Sequence, residues 1–361
     1  MVKIRSEATK QSMGVVLLLV CLVARIHVGS AAIDLEKPFP AFFIFGDSLV
    51  DVGNNNYMVT VARANSLPFG IDFPQGPTGR FTNGKTVLDV IADLIKLPYP
   101  PPYLDPKVRG NAILQGVNYA SAAAGYLRSS GFNFVGRADF DTQIEWFANT
   151  ASQVKEILGE DGAKDFLAKS LIATAFGAND YVNNYLLSYA PINKVYTTDQ
   201  LKYVILDKTK AQLTKIYNLG ARIIAVSSLG PIGCIPSQLV RQRSVNGECS
   251  EYVNGLARDF NVGLQQVLNE LNQEFPDGKF LYADVYTNAD EYVKNYPKYG
   301  FVSASTACCG RGKYKGQLLC LPFLKACPNR REYVWFDCFH PSEAVNEMLG
   351  QALYDRLKEQ L

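Results

Sequence analysis

Ala41-Phe-Phe-Ile-Phe-Gly-Asp-Ser-Leu-Val-Asp-Val-Gly-Asn-Asn-Asn56 begins with five apolar residues and turns polar at Gly46. A short aromatic and β-branched run of this kind reads as a buried strand, and the glycine marks its end. Leu171-Ile-Ala-Thr-Ala-Phe176 before Gly177, Arg222-Ile-Ile-Ala-Val-Ser227 before Leu229-Gly230, and Phe280-Leu-Tyr-Ala-Asp284 read the same way. Helical patterns lie between them. Ile144, Phe147, Ala151, Val154 and Leu158 recur at helical spacing behind Thr142 and Glu145, which are spaced as a capping box. A second helix covers the Thr197–Tyr217 stretch and stops at Asn218-Leu-Gly220; a third carries Leu256, Phe260, Leu264, Val267, Leu268 and Leu271; the last carries Val345, Met348, Leu349, Leu353 and Leu357. Strands alternating with helices argue for an α/β protein whose parallel sheet is covered on both faces.

Working outward, residues 1–32 are set apart from this pattern. Lys3, Arg5 and Lys10 precede an unbroken apolar run from Met13 to Ala24, and Gly29-Ser-Ala-Ala32 follows, the layout of a secretory signal peptide cleaved near Ala32. That run is well short of the roughly 20 residues a transmembrane helix needs, so no transmembrane anchor is expected. Residues 33–361 then read as one domain, with no linker or internal repeat. The 361-residue chain carries 36 basic and 34 acidic residues for a formal charge of +2, and is 48% hydrophobic and 19% charged. Such a balance suits a globular protein with a large core and gives no electrostatic reason to expect nucleic acid.

Removing the leader leaves seven cysteines and makes His340 the only histidine. A site needing two imidazoles is excluded. In an oxidising compartment Cys234 and Cys249 suit one disulfide, and Cys308, Cys309, Cys320 and Cys327 suit two more with the pairing open. Cys338 remains as a small buried thiol. The absence of an Asn-x-Ser/Thr triplet means that N-glycosylation is not expected.

Ligands of open parallel sheets bind beyond the carboxyl ends of the strands, so the residues after each apolar run carry the chemistry. Ser48 sits where the first strand gives way to a turn, beside backbone N–H groups able to hold negative charge. Asn179, in Gly177-Ala-Asn-Asp180, is placed to aim its amide at an oxyanion, and Asp337 precedes His340 by three residues, close enough to accept its Nδ1–H. Gly79-Arg-Phe-Thr-Asn-Gly-Lys-Thr86 satisfies the phosphate-loop pattern, but two prolines in Phe73-Pro-Gln-Gly-Pro-Thr78 occupy the place of the strand such a loop requires. Nucleotide binding is therefore disfavoured. There is no Gly-x-Ser-x-Gly elbow, since Val50 holds the second glycine position.

Taken in order, Phe45-Gly-Asp-Ser-Leu with Gly53-Asn-Asn-Asn56, Gly79-Arg-Phe-Thr-Asn-Gly84, Gly116-Val-Asn-Tyr-Ala-Ser121, Gly177-Ala-Asn-Asp180, Gly230-Pro-Ile-Gly-Cys234, Cys308-Cys-Gly310 and Asp337-x-x-His340-Pro-Ser-Glu343 resemble the SGNH or GDSL hydrolases, and among them the plant GDSL esterase/lipases. The resemblance covers essentially all of residues 33–361. It implies a three-layer α/β/α, flavodoxin-like sandwich around a mostly parallel sheet. Ser48 would be the nucleophile, His340 the general base and Asp337 its orienting partner; the N–H groups of Ser48 and Ala122 and the side chain of Asn179 would form the oxyanion hole. Ala122 stands where the family often has glycine, and its N–H survives as a donor if φ is negative. The implied protein is a secreted, extracellular (apoplast or cell wall) monomer acting on a small-molecule or lipid ester without metal or cofactor. An alcohol acceptor would make it an acyltransferase, as in cutin-like polyester assembly, and loss of catalysis would leave a silent binding protein on the same scaffold.

Overall fold

The computed structural model describes residues 39–361, so the proposed leader lies outside the described residues. Four strands, β1 (Phe42–Gly46), β2 (Leu171–Ala175), β3 (Ile223–Ser227) and β4 (Lys279–Ala283), fall within one residue of the four apolar runs. They pair in parallel in the order β1-β2-β3-β4. On the open edge of β1 lies the extended segment 117–121: Ile44 N–H donates to Val117 O (3.0 Å), Tyr119 N–H to Ile44 O (2.7 Å) and Ser121 N–H to Gly46 O (3.0 Å). Counting that segment, the chain order across the sheet is 2-1-3-4-5, the flavodoxin-like arrangement, whose direction of winding reverses beside β1. The crevice at that reversal is where Ser48 emerges.

Six longer helices complete the layers: α1 (Val87–Leu94), α2 (Phe140–Lys169), α3 (Thr198–Asn218), α4 (Glu251–Glu274), α5 (Val285–Lys294) and α6 (Glu343–Gln360). Helix α2 covers one face of β1, where Phe43 and Phe45 pack edge-on against Phe147 with ring centroids 5.4 and 5.5 Å apart. Burying each such ring contributes about 1.5–3 kcal/mol, so this face is a main source of stability. Helices α1 and α6 cover the other face. The result is the three-layer α/β/α sandwich.

Local signals explain most helix boundaries. Thr197 caps α3 in a complete capping box with Gln200, and Gly220, at φ 110°, follows its end. The box expected at Thr142 and Glu145 is not formed. Helix α2 starts three residues earlier, because Asp139 accepts the N–H and the hydroxyl of Thr142 (2.9 and 2.8 Å), and a carboxylate at that end also suits the helix dipole. The helix also runs past Leu158, with a break at Gly159 (φ 76°).

Disulfides join Cys234 to Cys249, Cys308 to Cys327 and Cys309 to Cys320, which settles the open pairing as two nested bridges. The nested pair encloses a second small core containing Phe69, Phe81 and Phe336. Cys308 and Cys309 donate their N–H groups to Trp335 O (2.9 Å) and Phe336 O (2.7 Å), the two residues immediately before Asp337. Cys338 is a buried free thiol, its pKa driven upward by burial. Thiol titration of the chain from residue 33 onward, unfolded without reductant, is expected to find one sulfhydryl per molecule; none or three would contradict this pairing.

Candidate active site

Strand β1 ends at a residue that can only be glycine. A Cβ on Gly46 would lie 2.4 Å from Val50 Cγ2 and 2.9 Å from Ala175 O. Gln143 of α2 holds the same residue from the other side, accepting its N–H (3.0 Å) and donating to its carbonyl (2.9 Å). Asp47 then shapes the turn: its Oδ1 accepts Leu49 N–H (3.0 Å), and its carbonyl accepts the N–H groups of Val50 and Asp51 (3.2 and 3.0 Å). Ser48 is thereby fixed at the sheet edge with its side chain partly exposed. Gln143 was not legible beforehand, since one polar residue in an amphipathic helix carries no signal of what it binds.

Asp337 organises the opposite wall. Its Oδ1 accepts the N–H groups of Phe339 and His340, both at 2.8 Å, and its two oxygens lie 2.8 and 2.9 Å from His340 Nδ1. With Nδ1 facing a carboxylate, the neutral ring carries its proton there and presents a bare Nε2. That Nε2 lies 2.7 Å from Ser48 Oγ. The fold thus brings Ser48, His340 and Asp337 into one line across 292 residues of sequence. Ser342 caps helix α6, which follows directly.

The phosphate-loop look-alike has become a brace for this wall. Thr82 donates its hydroxyl to Pro341 O (3.0 Å), Asn83 Oδ1 accepts Glu343 N–H (2.9 Å), and Lys85 N–H donates to Glu343 Oε1 (2.9 Å). Arg80 makes a buried two-pronged ion pair with Asp89 (2.8 and 2.7 Å), and Thr86 caps α1. Phe81 packs on the His340 ring with centroids 5.2 Å apart. The glycines and threonines serve protein packing here, and the side chain of Lys85 pairs with Asp93.

The oxyanion side requires one correction. Ala122 has the negative φ on which its role depended, yet its N–H is taken up by Asp51 Oδ2 and Asn55 Oδ1, both at 3.1 Å, deep in a polar network. The left-handed residue is Ala123 (φ 70°), a conformation costing an L-residue roughly 1–2 kcal/mol. Among the described residues neither Ser48 nor Ala123 donates its backbone N–H within the protein, and both line the cavity at the sheet edge. Asn179 lines it too; its Nδ2 donates to Ala124 O (2.9 Å) and more distantly to Asp47 Oδ2 (3.3 Å), while its Oδ1 accepts from Asn183 (2.8 Å). One amide hydrogen is anchored and the other loosely held.

Burial pushes the Asp47 carboxyl up to about 7, against the opposing pull of Leu49 N–H and His340 and with a further push from Asp180.

This combination, a hydroxyl, an imidazole and a carboxylate in line at the switch point of a flavodoxin-like sheet, defines the class of serine-dependent α/β hydrolytic folds. Comparison with known proteins agrees: the family model described as GDSL-like Lipase/Acylhydrolase matches residues 42–353. The chain is 41% identical to GDSL esterase/lipase At1g71250 of Arabidopsis thaliana over 94% of its own length and 91% of that protein's. It is 46% identical to GDSL esterase/lipase At1g71691 of the same plant, over 87% of this chain and 81% of the relative. With GDSL esterase/lipase 7 of Arabidopsis thaliana the identity is 41%, covering 94% and 95%. The protein belongs to the GDSL lipase/acylhydrolase family.

Two stability measurements test this geometry. Ala123→Gly relieves a left-handed alanine and is expected to leave stability unchanged or raise it by up to about 1 kcal/mol in urea unfolding, whereas Ala122→Gly lowers it by about 0.5–1 kcal/mol. The raised Asp47 carboxyl means that folding takes up a proton between its ordinary value near 4 and about 7. Its contribution is complete at low pH and is lost as pH climbs through that window. Melting temperatures of Asp47→Asn followed from pH 4 to 8 should therefore decline less with rising pH than those of the wild type; an unchanged slope would contradict the assignment.

Proposed function

We propose that the protein is a secreted serine esterase that hydrolyses carboxylic esters through a covalent acyl-enzyme. The observation that carries this reading is the 2.7 Å hydrogen bond from Ser48 Oγ to His340 Nε2, with Asp337 behind the imidazole, at the mouth of an apolar cavity. In this mechanism His340 Nε2 takes the Ser48 proton as Oγ attacks the ester carbonyl. The N–H groups of Ser48 and Ala123, with the looser Nδ2 hydrogen of Asn179, receive the charge on the carbonyl oxygen. Ala123 replaces Ala122 here because only its N–H is free to turn toward the oxyanion.

Collapse of the tetrahedral adduct breaks the carbonyl–alkoxide bond, and the imidazolium returns its proton to the departing alcohol. Water, deprotonated by His340, then attacks the acyl-serine and releases the acid. The Asp337 carboxylate holds the ring in its tautomer and stabilises the imidazolium in both steps. Secretion is supported by the leader-like residues 1–32 and by three disulfides, which persist in oxidising compartments. Among the described residues no helix is long and apolar enough to cross a membrane.

A fluorophosphonate probe is expected to label the wild-type protein at Ser48, and a short p-nitrophenyl ester to be turned over. Ser48→Ala should lose both. Asp337→Asn should retain the fold while kcat falls by up to about 10⁴-fold, as loss of the orienting carboxylate does in serine triads. Asn179→Ala should cost about 10²–10³ in kcat, as expected when one oxyanion donor is removed. A wild-type protein that is neither labelled nor active would favour the silent binding protein.

A further inference from the structure

Charge is spread very unevenly over the fold. Five segments, 52–71, 122–138, 181–198, 228–247 and 300–331, together hold twelve basic residues and no acidic one. The rest of the chain from residue 33 onward holds 20 basic and 33 acidic residues, so the near-neutral total hides a strongly polarised molecule.

The five segments are far apart in sequence and adjacent in space. Val61 N–H donates to Phe134 O (3.2 Å), Gly131 N–H to Asn183 O (3.1 Å), Arg241 Nη1 to Val182 O (2.7 Å) and the Tyr314 hydroxyl to Val245 O (2.8 Å). Cys320 and Leu324 close the circuit by sharing a buried cluster with Ala62 and Phe69. Each segment also lines the cavity that opens at Ser48, through Val61, Phe134, Asn183, Ile235 and Leu319. The segments therefore form one ring around the mouth of the site. Asp47 and Asp337, the acidic residues of the cavity lining, are buried.

Two kinds of side chain stand out from this ring. Arg63, Lys194, Arg243, Arg311, Lys313 and Lys325 are exposed and have no carboxylate partner among the described residues. Arg330 and Arg331, by contrast, are paired with Asp72 and Glu347 (2.6 Å each). Every segment also exposes a large apolar side chain: Val59, Val135, Tyr189, Val245 and Phe323 are 62–84% exposed. Among the described residues, fourteen of the nineteen large exposed hydrophobics fall in these segments, which make up only about a third of that chain. Exposed apolar groups gathered in one place mark an interaction surface. A soluble polyanion would engage the cations and leave the apolar tips idle. A lipid surface with anionic headgroups engages both, because peripheral binding combines apolar insertion at the headgroup boundary with electrostatic attraction.

We propose that this ring is the surface by which the protein docks on lipid membranes bearing anionic headgroups, with the mouth of the site facing the lipid. Seated there, the apolar tips enter the headgroup boundary and the unpaired cations lie among the phosphates. Docking itself does not depend on Ser48 being a nucleophile; the presentation of a membrane-borne ester to Ser48 does, and so rests on the function proposed above.

Vesicle sedimentation of Ser48→Ala, expressed from the full chain, tests docking with the lipid left intact. It also keeps the two claims apart, since fluorophosphonate labelling of the wild type decides the nucleophile by itself. Binding to vesicles of equal parts phosphatidylglycerol and phosphatidylcholine should be about tenfold or more tighter than to phosphatidylcholine alone. Added salt should weaken it without abolishing it, because screening acts on the cations and not on the apolar tips. In the same background, Arg311→Gln with Lys325→Gln should weaken binding by about 25-fold, or fivefold per charge. Phe323→Ser should weaken it by about tenfold or more, as a ring is withdrawn from the lipid. Lys164→Gln with Lys169→Gln removes the same charge at the end of α2 that leads into the opposite edge of the sheet, and should leave binding within about twofold. All these side chains are exposed, so the melting temperatures should hold. No sedimentation with either vesicle, no preference for the anionic one, or an equal loss in the α2 variant would overturn the proposal. So would binding that Phe323→Ser leaves unchanged, in which case displacement by polygalacturonate would identify a soluble polyanion as the partner instead.

Discussion

The hydrogen bond between Ser48 and His340 closes a loop of 292 residues at a separation of 2.7 Å. The entropy of closing so long a loop grows only logarithmically with its length, so bringing the two ends together is the easier part. Holding them in register is harder, because an error of 1 Å in such a constellation can cost about 10²-fold in rate. Three separate devices supply the rigidity. Gly46 is clamped between Val50, Ala175 and Gln143. The nested disulfides place Cys308 and Cys309 in hydrogen bonds with the two residues before Asp337. Thr82, Asn83 and Lys85 hold the residues that follow His340.

The oxyanion side depends on a different principle. Buried polar groups are costly unless satisfied, and a fully connected network fixes one arrangement of the backbone. Asn54 donates to the carbonyls of Asn118 and Ala120 (2.9 and 2.8 Å), Asn118 to Val50 O (2.8 Å), and Ser121 to Asn55 Oδ1 (2.6 Å). These contacts tie the turn after β1 to the segment 117–121 and oblige the chain to leave that segment through a left-handed Ala123. The Gly53-Asn-Asn-Asn56 stretch therefore acts on the site through the backbone and presents no group of its own to the reaction.

Much of this was legible because it is local. An apolar run ending in glycine states both a strand and its end, and an aspartate three residues before a histidine can reach its Nδ1 with little help from the rest of the fold. What was not legible is set by distant parts of the chain. Ala122, Ala123 and Ala124 are chemically identical, and only the grip of Asp51 and Asn55 on the first, together with the bond from the third to Ser121 O (3.1 Å), shows which amide is left free. Gln143 and Phe81 gain their significance from the glycine and the imidazole they meet in space. Asp139 took the start of α2 from Thr142 because the stronger acceptor lay just before the periodic stretch.

The contact between residues 48 and 340 can be observed directly, since His340 is the only histidine from residue 33 onward and its imidazole nitrogens give one isolated signal set in ¹⁵N NMR. Phosphonylation of Ser48 places a tetrahedral, negatively polarised group where Nε2 now accepts the serine proton. The account predicts a clear displacement of the His340 nitrogen resonances on labelling, with no change when the reagent is added to Ser48→Ala. Resonances that stay in place after stoichiometric modification of Ser48 would contradict it.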